Sequence, residues 1–120
     1  MVYNRKEHEI YNTHKGDYDS MERYDIAIIG TGPAGLSAAV TAAIRKKKIL
    51  LAGSRDLSSK VQKAQEIQNY LGFPDISGAE LGKAFEEHID RMQVPIVEER
   101  VNLIYPMGDY FSLQVGQEIC

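Results

Sequence analysis

Six residues, Gly30-Thr31-Gly32-Pro33-Ala34-Gly35, constrain this chain more than any other stretch because of what flanks them. Ahead of them lies Tyr24 to Ile29, with the apolar run Ile26-Ala27-Ile28-Ile29, which reads as a strand. Behind them Leu36 to Arg45 carries Ala38, Ala39, Ala42 and Ala43, and reads with Pro33 as a helix over 33–45. A G-x-G-x-x-G that closes a strand and opens a helix has the setting of a dinucleotide-binding turn. Each glycine has its own task. Gly30 turns the chain out of the strand, Gly32 leaves room for a pyrophosphate to approach the backbone, and Gly35 lets helix and strand pack closely. Pro33 suits the first helical turn, where a missing N–H leaves nothing unpaired. The remaining N–H groups and the positive end of the helix dipole then face the phosphates.

A second apolar run, Lys48 to Ala52, predicts a parallel strand joined to the first by a right-handed crossover. The expected helix stripe is Leu36, Val40, Ala43 and Ile44. The cations Arg45-Lys46-Lys47-Lys48 are read as stabilising the helix C-terminus. In many dinucleotide folds a carboxylate about 20 residues beyond the glycines grips a ribose hydroxyl. Here the second strand ends in Gly53-Ser54, then Arg55 and Asp56. The usual carboxylate is therefore absent or displaced. Arg55 would suit a 2′-phosphate, although a solvated surface arginine is the plainer expectation.

Further along, Ser58 or Ser59 caps a short helical turn through Val61, Ala64 and Ile67, and Asn69-Tyr70-Leu71-Gly72-Phe73-Pro74 is a loop. A second helix is predicted from Ser77 or Gly78 to about Met92, with Leu81, Phe85, His88 and Met92 on its core stripe. His88 is expected to be packed and hydrogen-bonded rather than catalytic, since no titratable partner shares its face. Short strands follow at 95–97, 101–105 and 110–115, with a further strand beginning at Glu118-Ile119-Cys120. Residues 1–20 show neither helical nor strand periodicity and are expected to form a disordered extension, with Met21 as a plausible native start.

Composition narrows the function classes. A net charge of -3 gives no electrostatic case for nucleic acid. No stretch reaches the ~20 apolar residues of a membrane span, and no apolar leader is visible at the N-terminus. The single cysteine, Cys120, excludes a disulfide framework within these 120 residues and makes a cytoplasmic location the default.

Four stretches, Y-D-I-A-I-I-G-T-G-P-A-G-L at 24–36, I-Q-N-Y-L-G-F-P at 67–74, I-S-G-A-E-L at 76–81 and V-N-L-I-Y at 101–105, together resemble one family. Residues 21–120 are similar to the N-terminal part of the low-molecular-weight thioredoxin reductases, two-domain flavoproteins. The resemblance implies an α/β fold: a Rossmann-like FAD-binding βαβ unit with a following helix and short antiparallel strands, incomplete relative to the whole domain. It implies that Gly30, Thr31, Gly32, Pro33, Ala34 and Gly35 hold the pyrophosphate of FAD, that Asn69 contacts the cofactor, and that the Val101 backbone meets the adenine. Gly53, Ser54 and Lys60 join the cofactor-binding candidates. They stand where the second strand ends and where the family usually has a G-G-Q-type segment. Here that segment reads Leu57-Ser58-Ser59-Lys60, and Leu71 replaces a common proline. The run S-S-K-V-Q-K-A is closer to the clostridial ferredoxin-linked flavin thioredoxin reductases.

The resemblance implies electrons passing from NADPH or ferredoxin to FAD, then to a cysteine pair and a thioredoxin-like protein, in a homodimer when complete. No catalytic or metal-ligating residue is assigned within the chain, and the 120 residues alone are not expected to turn over. Two other readings stay open: a stand-alone NAD(P)-binding module, and a truncated, non-catalytic interaction protein.

Overall fold

The computed structural model describes residues 2–4, 9–11 and 24–116. Two β-sheets and three helices organise them. The first sheet is parallel, in the order β3 (Ile26–Ile29), β4 (Ile49–Ala52), β5 (Ile96–Val97). Helix α1 (Pro33–Ile44) crosses from β3 to β4, and α2 (Ser59–Gln62) with α3 (Gly78–Arg91) crosses from β4 to β5. The register is continuous: Ile29 pairs with Ala52, and Ala52 with Val97.

All four residues of β4 are buried, as expected of a central parallel strand covered on both faces. Side chains alternate across it. Ile49 and Leu51 join Ile28, Leu36, Ala39, Ala42, Leu57 and Ile89 beneath the helices. Leu50 turns the other way, onto Tyr24, Leu113 and Val115. Fully burying one such leucine contributes roughly 1.5–3 kcal/mol. The Lys48 N–H donates to an Asp25 carboxylate oxygen at 2.8 Å, and the Lys48 ammonium lies 5.1 Å from the centre of the Tyr24 ring, which ties the start of β4 to β3.

The buried line of α1 differs from the expected stripe. It runs through Leu36, Ala39 and Ala42, with Val40 and Ala43 only partly buried and Ile44 exposed. Gly35 brings the helix close to β3, and after Leu36 the alanines at 39 and 42 fill the space beneath it. In α3 the N-cap is Ser77, whose hydroxyl accepts the Glu80 N–H at 3.1 Å. Its buried residues are Gly78, Leu81, Gly82 and Ile89. The centre of that face lies closer to Phe85 than to Leu81, so His88 falls at its margin and is exposed, contrary to expectation. The helical turn expected through Ile67 ends earlier, at Gln62; Ile67 instead bridges Ile76 across the base of the 67–76 loop.

The second sheet is antiparallel, in the order β2 (Glu9–Tyr11), β1 (Val2–Asn4), β7 (Phe111–Val115), β6 (Val101–Pro106). Gly108, at φ +79, turns the β6–β7 hairpin. Val2 and Tyr3 pair with Ser112 and Phe111. The expected lack of regular structure in residues 1–20 is thus corrected at 2–4 and 9–11. β1 covers the edge of β7 opposite β6, which as a sheet edge would invite further pairing. The rest of residues 1–20, Met21 and the strand expected at 118–120 lie outside the described residues.

Candidate functional site

The parallel strands end together. The Gly30 N–H donates to the Ala52 carbonyl at 2.8 Å, and the Gly53 N–H to the Val97 carbonyl at 3.0 Å. Gly30, Gly53 and Glu98 therefore stand in one row, each a residue beyond the last paired position.

The glycine turn divides its work as the sequence suggests. Gly30 has φ +114, a conformation that a side chain disfavours. Gly32 is the N-cap of α1 at φ -77 and ψ -179, with no side-chain cap, and a Cβ on it would meet no atom within 4 Å. A Cβ on Gly35 would overlap the Gly30 carbonyl oxygen and touch Ile28. Leu36 is the first residue whose N–H bonds back into the helix, to the Gly32 carbonyl at 3.0 Å. The N–H groups of Ala34 and Gly35 precede any intrahelical acceptor and emerge at the helix end beside the open space over Gly32. A dinucleotide pyrophosphate fits this arrangement. The space is free, the donors are backbone groups, and the dipole has the right sign.

Thr31 fastens the turn to the next strand. It is buried, its hydroxyl donates to the Ser54 carbonyl at 2.8 Å, and its own carbonyl accepts the Ser58 N–H at 2.8 Å and the Ser58 hydroxyl at 3.3 Å. A Cβ on Gly53 would come within 2.8 Å of the Thr31 methyl, so Gly53 is required by Thr31 packing. Ser58 is a residue whose part the sequence did not reveal. It takes the left-handed conformation (φ 52) ahead of α2, and its hydroxyl serves Thr31 instead of capping the helix.

The structure thus gathers Gly30, Thr31, Gly32, Pro33, Ala34, Gly35, Gly53 and Ser54 at one corner. Lys60 lies exposed on α2, and Asn69 is exposed in the 67–76 loop; neither side chain makes a hydrogen bond among the described residues. Next to Asn69, Tyr70 packs on Phe85 at 5.5 Å between ring centres. Tyr70 also lines a cleft of about 310 Å³ that reaches Pro33 and Leu36 on α1 and His88 on α3. Leu71, at the tip of that loop, is 99% exposed. Val101 sits apart, at the start of β6, packed with the Tyr24 and Leu50 cluster on the sheet face away from α1.

Arg55 is not a free cation. Its guanidinium donates to the Ile96 carbonyl at 3.1 Å and pairs with Glu98 at 3.3 Å. Asp56, the nearest carboxylate in sequence to the expected ribose position, accepts the Gln62 side-chain amide at 3.0 Å. Among the described residues no group of His, Cys, Asp and Glu could hold a metal ion, and no helix is long and apolar enough to cross a membrane.

A profile of the FAD binding domain family matches residues 25–91. The fold is similar to a ferredoxin-flavin thioredoxin reductase from Clostridium acetobutylicum, with 58% identity and a TM-score of 0.74 over 79% of this chain and 33% of that one. It is also similar to the thioredoxin reductase of Streptococcus pyogenes, with 30% identity and a TM-score of 0.70 over 79% and 31%. In sequence, the thioredoxin reductase of Ureaplasma parvum is 34% identical over 96 residues, which is 80% of this chain and 31% of that protein. The chain spans about a third of the length of these relatives.

Proposed function

The chain belongs to the FAD binding domain family, and from that premise we propose that its glycine corner holds the pyrophosphate of FAD as part of a thioredoxin reductase-like flavoprotein. The observation that carries this reading is the open, uncapped end of α1. Gly32 leaves free space there, and the Ala34 and Gly35 N–H groups at that end have no hydrogen-bond partner among the described residues. Thr31 and Ser58 keep the turn rigid, so the donors are already in place when the anion arrives. Lys60, Asn69 and the Val101 backbone are proposed to complete the grip on the cofactor, with Ser54 beside the ribose.

FAD, when bound, supplies the electron-transfer chemistry; the chain's residues bind and orient it. Tyr70, Phe73 and Leu71 form an apolar loop beside the site, suited to keeping water from a planar ring. The dithiol of the whole enzyme is proposed to lie in the part of the relatives that this chain does not span, since its one cysteine cannot form a C-x-x-C pair. The acceptor is proposed to be a thioredoxin-like protein, the enzyme a homodimer, and its location the cytoplasm. The 58% identity to a ferredoxin-linked reductase supports ferredoxin over NADPH as the donor. The commitment of Arg55 to Glu98 disfavours the reading as a stand-alone NADP module, which needs an unpaired arginine for the 2′-phosphate.

Flavin titration of the chain and of its Gly32→Val variant tests the proposal. Binding that the substitution abolishes supports it, and equal binding by both refutes it.

A further inference from the structure

We infer that Glu98 replaces, from the neighbouring strand, the ribose-binding carboxylate that the end of β4 lacks. The inference rests on the dinucleotide reading of the glycine corner. In this fold the adenosine ribose lies past the pyrophosphate, over the end of the strand that follows the first helix. That strand is β4, and it ends in Gly53 and Ser54, which carry no charge. Register places Glu98 beside Gly53, because Ala52 pairs with Val97 and each is the residue before. Adjacent strands are about 4.8 Å apart, so Glu98 stands roughly 10 Å from Gly30 along the row, within a nucleotide's span from pyrophosphate to ribose.

The other carboxylates nearby are turned elsewhere. Asp56 is held by Gln62 at 3.0 Å. Glu99 turns towards Gly116, where a Cβ would collide with its carboxylate. Glu98, next to the row of strand ends, pairs at the surface with Arg55, which itself donates to the Ile96 carbonyl. Arg55 engages one carboxylate oxygen, Oε2, at 3.3 Å. The other oxygen has no partner among the described residues and is left to accept from a ribose diol. The same negative charge disfavours a 2′-phosphate, so one ion pair selects a plain ribose. Arg55 is a positioning residue here and Glu98 the contact.

The test is an NMR titration of the whole chain with ADP and with 2′-deoxy-ADP, for wild type, Glu98→Gln and Arg55→Ala. We expect wild type to bind ADP about tenfold tighter than 2′-deoxy-ADP, the size of one hydrogen bond to a charged acceptor. Glu98→Gln should lose most of that preference while affinity for 2′-deoxy-ADP stays within about twofold. Arg55→Ala should lose part of it, since Glu98 remains but is no longer held. If Glu98→Gln keeps the wild-type preference with the glycine-loop amides still shifting, the inference is overturned and the dinucleotide site stands. If ADP moves no amide between 30 and 35 in wild type, both fail together.

Discussion

The Thr31 hydroxyl donates to the Ser54 carbonyl at 2.8 Å, across 23 residues of sequence. Through this bond the loop after β3 is fixed to the loop after β4. Thr31 is buried and its own carbonyl takes two bonds from Ser58, so the glycine turn is held at Thr31 by both its side chain and its backbone.

Thr31→Val keeps the shape and removes the hydroxyl. The Ser54 carbonyl lies at an exposed residue, where water can replace the lost donor. The expected loss is about 0.5–1.5 kcal/mol of stability, read by urea denaturation. Cofactor affinity should fall as well, because the turn is less well held. A variant as stable as wild type would show that the bond contributes nothing to holding the turn.

Gly32 and Gly35 should respond unequally to an added methyl. Gly32→Ala enters open space at an ordinary backbone angle and should cost about 1 kcal/mol or less, the usual penalty for alanine at an N-cap. Gly35→Ala drives a Cβ into the Gly30 carbonyl, backbone that cannot rotate away, and should cost about 1–3 kcal/mol or more. Thermal melting of both variants separates the roles. Equal melting temperatures would mean that Gly35 is not a packing glycine.

The βαβ unit was legible because two independent signals coincide at 24–52: apolar runs of strand length, and glycines at the one spacing this turn uses. The start of α3 at Ser77 or Gly78 was legible from local spacing, and the structure puts the N-cap at Ser77. Features that depend on pairing between distant segments were not. The partner of Arg55 needs the register of β5 against β4. The burial of Ala39 over Ile44 needs the approach distance that Gly35 permits. His88 fits the helical spacing of a core stripe yet is exposed, because periodicity gives a face's direction but not its edges. The pairing of Val2 and Tyr3 with β7 has no local signature at all.

Removing residues 1–20 exposes the β7 edge at Phe111 and Ser112. Among the described residues two pairs are lost there, so the melting temperature should change by less than about 5 °C, equivalent to ~1 kcal/mol in a domain of this size. Amide exchange at 111 and 112 should accelerate, and self-association should rise with concentration, as an open edge invites. Unchanged exchange at both residues would argue against the pairing in solution.

We propose that the end of α1 receives the pyrophosphate of FAD. The most direct measurement is an FAD titration of the isotope-labelled chain followed by NMR, beside the Gly32→Val variant. We expect saturable shifts concentrated at the amides of Thr31, Gly32, Ala34 and Gly35. Affinity should be modest, since each exposed dipole interaction contributes only about 0.3–1 kcal/mol, and Gly32→Val should abolish the shifts while remaining folded. Shifts that leave 30–35 untouched, or that persist unchanged in Gly32→Val, would contradict it.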